Sequence, residues 1–99
     1  MVAVTNGEPR PALVIQSDFL TATHSVLVCL LTTTLRAAPL YRLPLPVEEA
    51  TGLREPSQVM ADKIMAVRRD RCSAPMGRTD EAALLALGRL LAFTVGIVD

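Results

Sequence analysis

The sequence predicts a mainly β fold, a small antiparallel barrel or curled sheet with one C-terminal α-helix. Three observations predict it. The segments 12–16, 26–31 and 59–67 have strand length and, apart from Gln16 at the end of the first and Asp62-Lys63 within the third, are apolar without alternation, which suits strands covered on both faces. Asn6-Gly7 stands before the first run, and prolines with Gly52 punctuate the stretch between the second and the third. Helical periodicity appears only after Thr79, so strands come first and a single helix last.

Each element has a local reason. Val2 to Val4 read as a short strand, and Asn6-Gly7 as a hairpin turn, because both residues tolerate positive φ. Arg10-Pro11 then leads into the strand Ala12–Gln16. Pro11 fixes its own φ and holds Arg10 extended, so the arginine is aimed by stiff backbone at the mouth of a buried strand. Val26 to Leu31 form the third strand, with Thr32-Thr33-Thr34 at its end. Leu43, Leu45 and Val47 alternate with Arg42, Pro44 and Pro46, and the prolines confine that strand to an edge. Residues 48–56 make a polar connection centred on Gly52, and Val59–Val67 is a long strand interrupted by Asp62 and Lys63. Arg68 to Arg78 reads as loop. Thr79 caps the helix, Asp80 and Glu81 favour its positive end, and Gly96 marks its exit. Leu84, Leu87, Leu91 and Val95 form one stripe, widened by Leu85, Leu90, Ala92 and Phe93. So much apolar surface needs either a deep seat in the chain's own core or a second copy.

Ninety-nine residues suit one domain, 1–99, with one modest core. Ten basic and ten acidic residues cancel, which gives no general attraction to nucleic acid or to a membrane surface. Phe19, Tyr41 and Phe93 are too few for a base-stacking platform. One histidine, His24, and two cysteines, Cys29 and Cys72, cannot assemble a zinc set, so no metal and no cofactor are expected. The first residues lack a charged region followed by an apolar one, and no apolar run approaches membrane length. A reducing cytoplasm is the expected compartment.

Three features carry chemistry. Arg10 offers a planar, permanently charged fork suited to phosphate. If 12–16 pairs antiparallel with 26–31, Arg10 and Thr32 lie at the same end of the sheet, a cradle for a phosphorus centre. Asp62 lies within an apolar strand, where a carboxylate needs a partner; it is either a structural acceptor or a base. Lys63, adjacent, is expected on the opposite face. His24 and the arginines at 68, 69, 71 and 78 read as solvated loop.

Taken together, 10–18, 28–33, 52–64 and 83–91 resemble, in order and spacing, the MazF/PemK (Kid) family of toxin–antitoxin ribonucleases. The resemblance covers the chain from Pro9 onward. It implies an SH3-like barrel with a C-terminal helix, dimeric, binding RNA in grooves at the dimer interface. It implies a bacterial toxin that cuts single-stranded RNA at short preferred sequences without a metal. The 2′-hydroxyl would attack the adjacent phosphate and leave a 2′,3′-cyclic phosphate. By this likeness Arg10, Thr32 and Asp62 are the catalytic residues: Arg10 stabilises the phosphate or protonates the leaving oxygen, Thr32 holds a phosphate oxygen, and Asp62 acts as base. Thr33, Gln16 and Lys63 would contact substrate. A cognate antitoxin with an acidic tail is implied as partner, with Arg54, Arg68 and Arg69 available to meet it.

The chain departs from the family in two places. Where the Kid-like branch has a basic residue two before the aspartate, Met60 stands here. The first strand opens partway, at Met1-Val2-Ala3-Val4, and the loop after it is reduced to Thr5–Pro9. Two other readings stay open: a catalytically silent relative, and a gyrase-binding toxin of the CcdB type. The second shares the fold but lacks the arginine–threonine pair and ends in Trp-Gly-Ile, where this chain has Val95-Gly96-Ile97.

Overall fold

The computed structural model describes residues 1–6, 8–15 and 23–97. The chain runs β1 (Val2–Asn6), β2 (Glu8–Val14), β3 (Ser25–Thr32), β4 (Arg42–Leu45), β5 (Ser57–Arg68), a 3₁₀ turn (Arg69–Arg71) and α1 (Glu81–Thr94). The strands make one antiparallel sheet in the order β1-β2-β3-β5-β4. The predicted mainly β fold with a C-terminal helix is the fold observed. Pro44 lies in an edge strand, as its missing N–H requires.

The unbroken apolar runs divide between two clusters on opposite faces of the sheet. Leu13, Cys29, Leu31, Val59 and Ala61 join one cluster with Leu45, Leu53 and Leu87. Their neighbours Ala12, Val26, Val28 and Val67 join the other with Val4. Because side chains alternate along a strand, covering both faces demands apolar residues at every position.

The β1–β2 hairpin is longer than expected. Thr5 pairs with Pro9 and Asn6 with Glu8, so 5–9 is strand nearly to its tip rather than loop. Arg10 therefore lies inside β2, opposite Val4, and not before it. Pro9 and Pro11 are tolerated because only Ala12 to Val14 pair with β3. Gly7 and Gln16 lie outside the described residues.

The reading of 68–78 as plain loop needs correction. After the 3₁₀ turn, Cys72 bridges to Val4, Ser73 N–H donates to Ala3 O at 2.9 Å, and Met76 N–H donates to Met1 O at 2.8 Å. The segment thus covers the outer edge of β1 and curls the sheet towards closure. Two glycines make room for its continuation. Gly52 has φ +76°, and at Gly77 a Cβ would come within 2.5 Å of the Ala50 and Thr51 carbonyls.

The helix also differs in detail. Asp80 is its N-cap, with Oδ1 accepting from Ala83 N–H at 2.8 Å, while Thr79 lies one residue outside. Leu87 is the helix's one buried residue; Ala83, Leu90 and Leu91 pack beside it. The inward face therefore keeps Leu87 and Leu91 of the predicted stripe and takes Ala83 and Leu90 in place of Leu84 and Val95. Leu84, Leu85, Phe93 and Val95 are exposed, so a deep seat in the chain's own core is excluded.

Candidate active site

The site forms where β2, the end of β3 and the start of β5 meet. Ala12 and Leu13 are buried, which anchors β2 and fixes the direction of Arg10 just before them. The Arg10 Nη2 donates to Leu31 O at 3.4 Å, the last buried residue of β3. Thr32 follows, and the Thr34 N–H donates to its Oγ1 at 3.1 Å in a tight hydroxyl-capped turn. With one lone pair so occupied, the Thr32 hydroxyl proton is left to donate outward. Thr33 is exposed at the tip of the turn.

These residues enclose a shallow pocket of about 140 Å³ lined by Arg10, Pro11, Leu31, Thr32, Thr33 and Ser57. The antiparallel register is what brings Arg10 and Thr32 together, since Ala12 pairs with Leu30 two residues inward on each strand. Ser57 was not singled out in the sequence. It opens β5, is buried, and its hydroxyl donates to Glu55 O at 3.0 Å. Only its place before the apolar run at Val59 hinted at a strand entrance.

Asp62 and Lys63 do not line this pocket. Both are exposed, so Asp62 is not the buried carboxylate that an apolar strand suggested. The ladder explains the difference. From Cys29 to Leu31 β3 advances two residues, while from Ile64 to Val59 β5 advances five. The extra residues of β5 form a wide bulge at 60–63, where simple alternation does not apply. The Asp62 charge still reaches the core electrostatically. Burial, and secondarily Asp62, push the Cys29 thiol up from 9.0 to about 11. Among the described residues no group of three or more histidine, cysteine or carboxylate side chains is placed to hold a metal ion. Of the arginines expected to face a partner, Arg68 pairs with Asp70 and the Arg69 Nε donates to Thr23 O at 2.6 Å. Arg54 is exposed.

Next to the first pocket lies a second, of about 180 Å³, between the β3–β4 loop and β5. Gln58 is its keystone. Its Oε1 accepts from Arg36 N–H at 3.1 Å and from Arg42 Nη1 at 3.0 Å, and its Nε2 donates to Arg36 O at 2.8 Å. Arg42 Nη1 also donates to Thr34 O at 3.1 Å, which ties this pocket to the turn that carries Thr32.

A curled five-stranded antiparallel sheet with an arginine–threonine pocket at a strand end and one docked helix defines a small α+β domain with a candidate anion site. Comparison with known proteins gives the particular family. Residues 3–94 match the model of the PemK-like, MazF-like toxins of type II toxin–antitoxin systems, and the chain belongs to that family. It is 40% identical over 91 residues to a protein named probable endoribonuclease MazF from Mycolicibacterium smegmatis, covering 92% of this chain and 84% of that protein. Among solved structures it resembles Mycobacterium tuberculosis toxin MazF-mt6, with TM-score 0.83, 20% identity, and 96% and 95% of the two chains covered. It also resembles a mycobacterial endoribonuclease in complex with its cognate antitoxin, with TM-score 0.82, 22% identity, and 99% and 92% covered. A MazE–MazF structure from Deinococcus radiodurans gives TM-score 0.79 at 22% identity, with 96% and 89% covered. At these identities the structural matches establish the shared fold. No helix among the described residues is long and apolar enough to cross a membrane.

Proposed function

We propose that this toxin is a metal-independent endoribonuclease that cuts single-stranded RNA at preferred sequences, with Arg10 and Thr32 at the reacting phosphate. The observation that carries this reading is their convergence in one pocket whose lining contains no carboxylate. In the step, the 2′-oxygen attacks phosphorus and the bond to the 5′-oxygen breaks. A base takes the 2′-proton, the leaving oxygen gains one, and the products are a 2′,3′-cyclic phosphate and a 5′-hydroxyl. Arg10 supplies a fixed positive charge where negative charge builds on the non-bridging oxygens. Thr32 donates to one of those oxygens. Asp62 stands outside the pocket of its own chain, and its assignment as base is tested separately by Asp62→Asn.

Two partners complete the proposal. The exposed Leu84, Leu85 and Phe93 on the outer face of α1 support a homodimer. A cognate antitoxin is the expected neutraliser, as in the complexed mycobacterial relative.

The test is cleavage of defined RNA oligonucleotides in EDTA, with product ends identified by mass. Arg10→Ala should lower the rate by roughly 10²–10³, the effect of losing one preorganised donor. Cleavage by Arg10→Ala at close to the wild-type rate, or cleavage that requires a divalent ion, overturns the reading.

A further inference from the structure

We infer that the pocket of Arg36, Arg42 and Gln58 is a second phosphate subsite. It takes a backbone phosphate of the same RNA strand, on the far side of the Thr32–Thr34 turn from the scissile phosphate. The inference rests on the ribonuclease reading and extends it from a reacting group to a path for the strand.

Charge is the first argument. The two pockets together present three arginines and no carboxylate, in a chain whose formal charges sum to zero. A local field of one sign in a neutral protein marks the place for an anion. Commitment of the side chains is the second. Arg42 Nη1 is held by Thr34 O and Gln58 Oε1, which fixes the plane of the guanidinium. Its Nε is buried and has no acceptor. The guanidinium carries five N–H donors and the protein engages only those on Nη1, so a phosphate entering the pocket that Arg42 lines meets a fixed cation with donors still unspent. Beside it, Arg36 is exposed and its backbone is clamped at both N–H and C=O by Gln58, so its side chain starts from a fixed root.

Continuity is the third argument, and it favours RNA over an acidic peptide. Thr34 joins the pockets directly: its N–H caps Thr32 and its carbonyl holds Arg42. Ser57 lines one pocket and the next residue, Gln58, lines the other. A strand whose phosphate sits on Arg10 continues over this turn onto Arg36 and Arg42.

The experiment compares two RNA substrates sharing one cleavage site, a dinucleotide and an oligonucleotide extended by several nucleotides on each side. Arg36→Ala is the main variant, because the side chain is exposed and folding does not depend on it. It should lower kcat/KM on the long substrate about tenfold, through KM, as expected for one charge-assisted contact. The ratio of long to short substrate should fall by the same factor, and Arg36→Lys should recover part of it. With an uncleavable long RNA carrying a 2′-deoxy scissile position, the slope of log affinity against log salt should flatten by about 0.7. An equal effect of Arg36→Ala on both substrates, or none on either, overturns the subsite. So does loss of poly-glutamate peptide binding with RNA handling unchanged, which assigns the pocket to a carboxylate ligand. Failure of the wild-type protein to cut either RNA overturns the underlying reading, and is told apart because Arg10→Ala then changes nothing.

Discussion

Replacing Gln58 by leucine should loosen the whole β3–β4 connection. The amide is 9% exposed and makes three hydrogen bonds, two with the Arg36 backbone and one with the Arg42 guanidinium. Leucine keeps the volume and removes all three. Neutral hydrogen bonds contribute about 1 kcal/mol each, and a charged one about 1.5–3. Arg36 is exposed and can turn its freed groups to water, so their share is reduced. Arg42 is half-buried, with Nε already unpaired, and has less recourse. The expected cost is about 2–3 kcal/mol. For a chain of this size that corresponds to a fall in Tm of roughly 10–20 °C. Gln58→Glu keeps the acceptor and loses only the bond to Arg36 O, so it should recover much of the loss. The assay is thermal and urea unfolding of wild type, Gln58→Leu, Arg42→Met and the double variant. A coupling near 1 kcal/mol or more between the two sites is expected. A cost below about 0.5 kcal/mol, or strict additivity, refutes the keystone assignment.

Four further outcomes follow from the geometry. Gly77→Ala places a Cβ within 2.5 Å of two carbonyl groups, so urea unfolding should show a loss of about 1–3 kcal/mol as backbone shifts; an unchanged midpoint would contradict that approach. Leu87→Ala should cost about 2–5 kcal/mol, whereas Leu85→Ala at 62% exposure should alter the stability of an isolated chain by under about 0.5. If α1 is a dimer face, Leu85→Ala instead raises the dissociation constant measured by analytical ultracentrifugation. Cys29, with its thiol pushed up to about 11, stays protonated in the folded chain when the unfolded chain has ionised. Folded-state stability should therefore fall as pH rises from about 9 to about 11, by up to about 1.4 kcal/mol per pH unit, and Cys29→Ala should remove that slope.

What could be read from the residues alone was whatever depends on neighbours in the chain. The runs at 12–16, 26–31 and 59–67 announce strands because each must face two cores, and Pro44 announces an edge because it lacks a donor. Arg10 and Thr32 could be brought together from sequence, since antiparallel pairing fixes which ends meet. What escaped depends on register and on distant backbone. The bulge at 60–63 displaces Asp62 and Lys63 from the faces that simple alternation assigns. Nothing near Gln58 reveals that it holds a loop 22 residues upstream. The tight approach at Gly77 belongs to residues 50 and 51, and the facing of α1 is decided by the sheet residues it packs against, because its apolar positions run nearly all round it.

The strap of residues 72–76 along β1 has a consequence for how the toxin comes into being. Ala3 pairs with Ser73, and Ser73 emerges from the ribosome only after most of the sheet has been made. At about 5–20 residues per second, the 70 intervening residues take roughly 4–14 s to synthesise. Contacts so distant in sequence also form slowly once available. During that interval the β1–β2 hairpin that carries Arg10 has an uncovered outer edge. The nascent chain thus passes through a stage at which Arg10 has been made but the strap that steadies its hairpin has not.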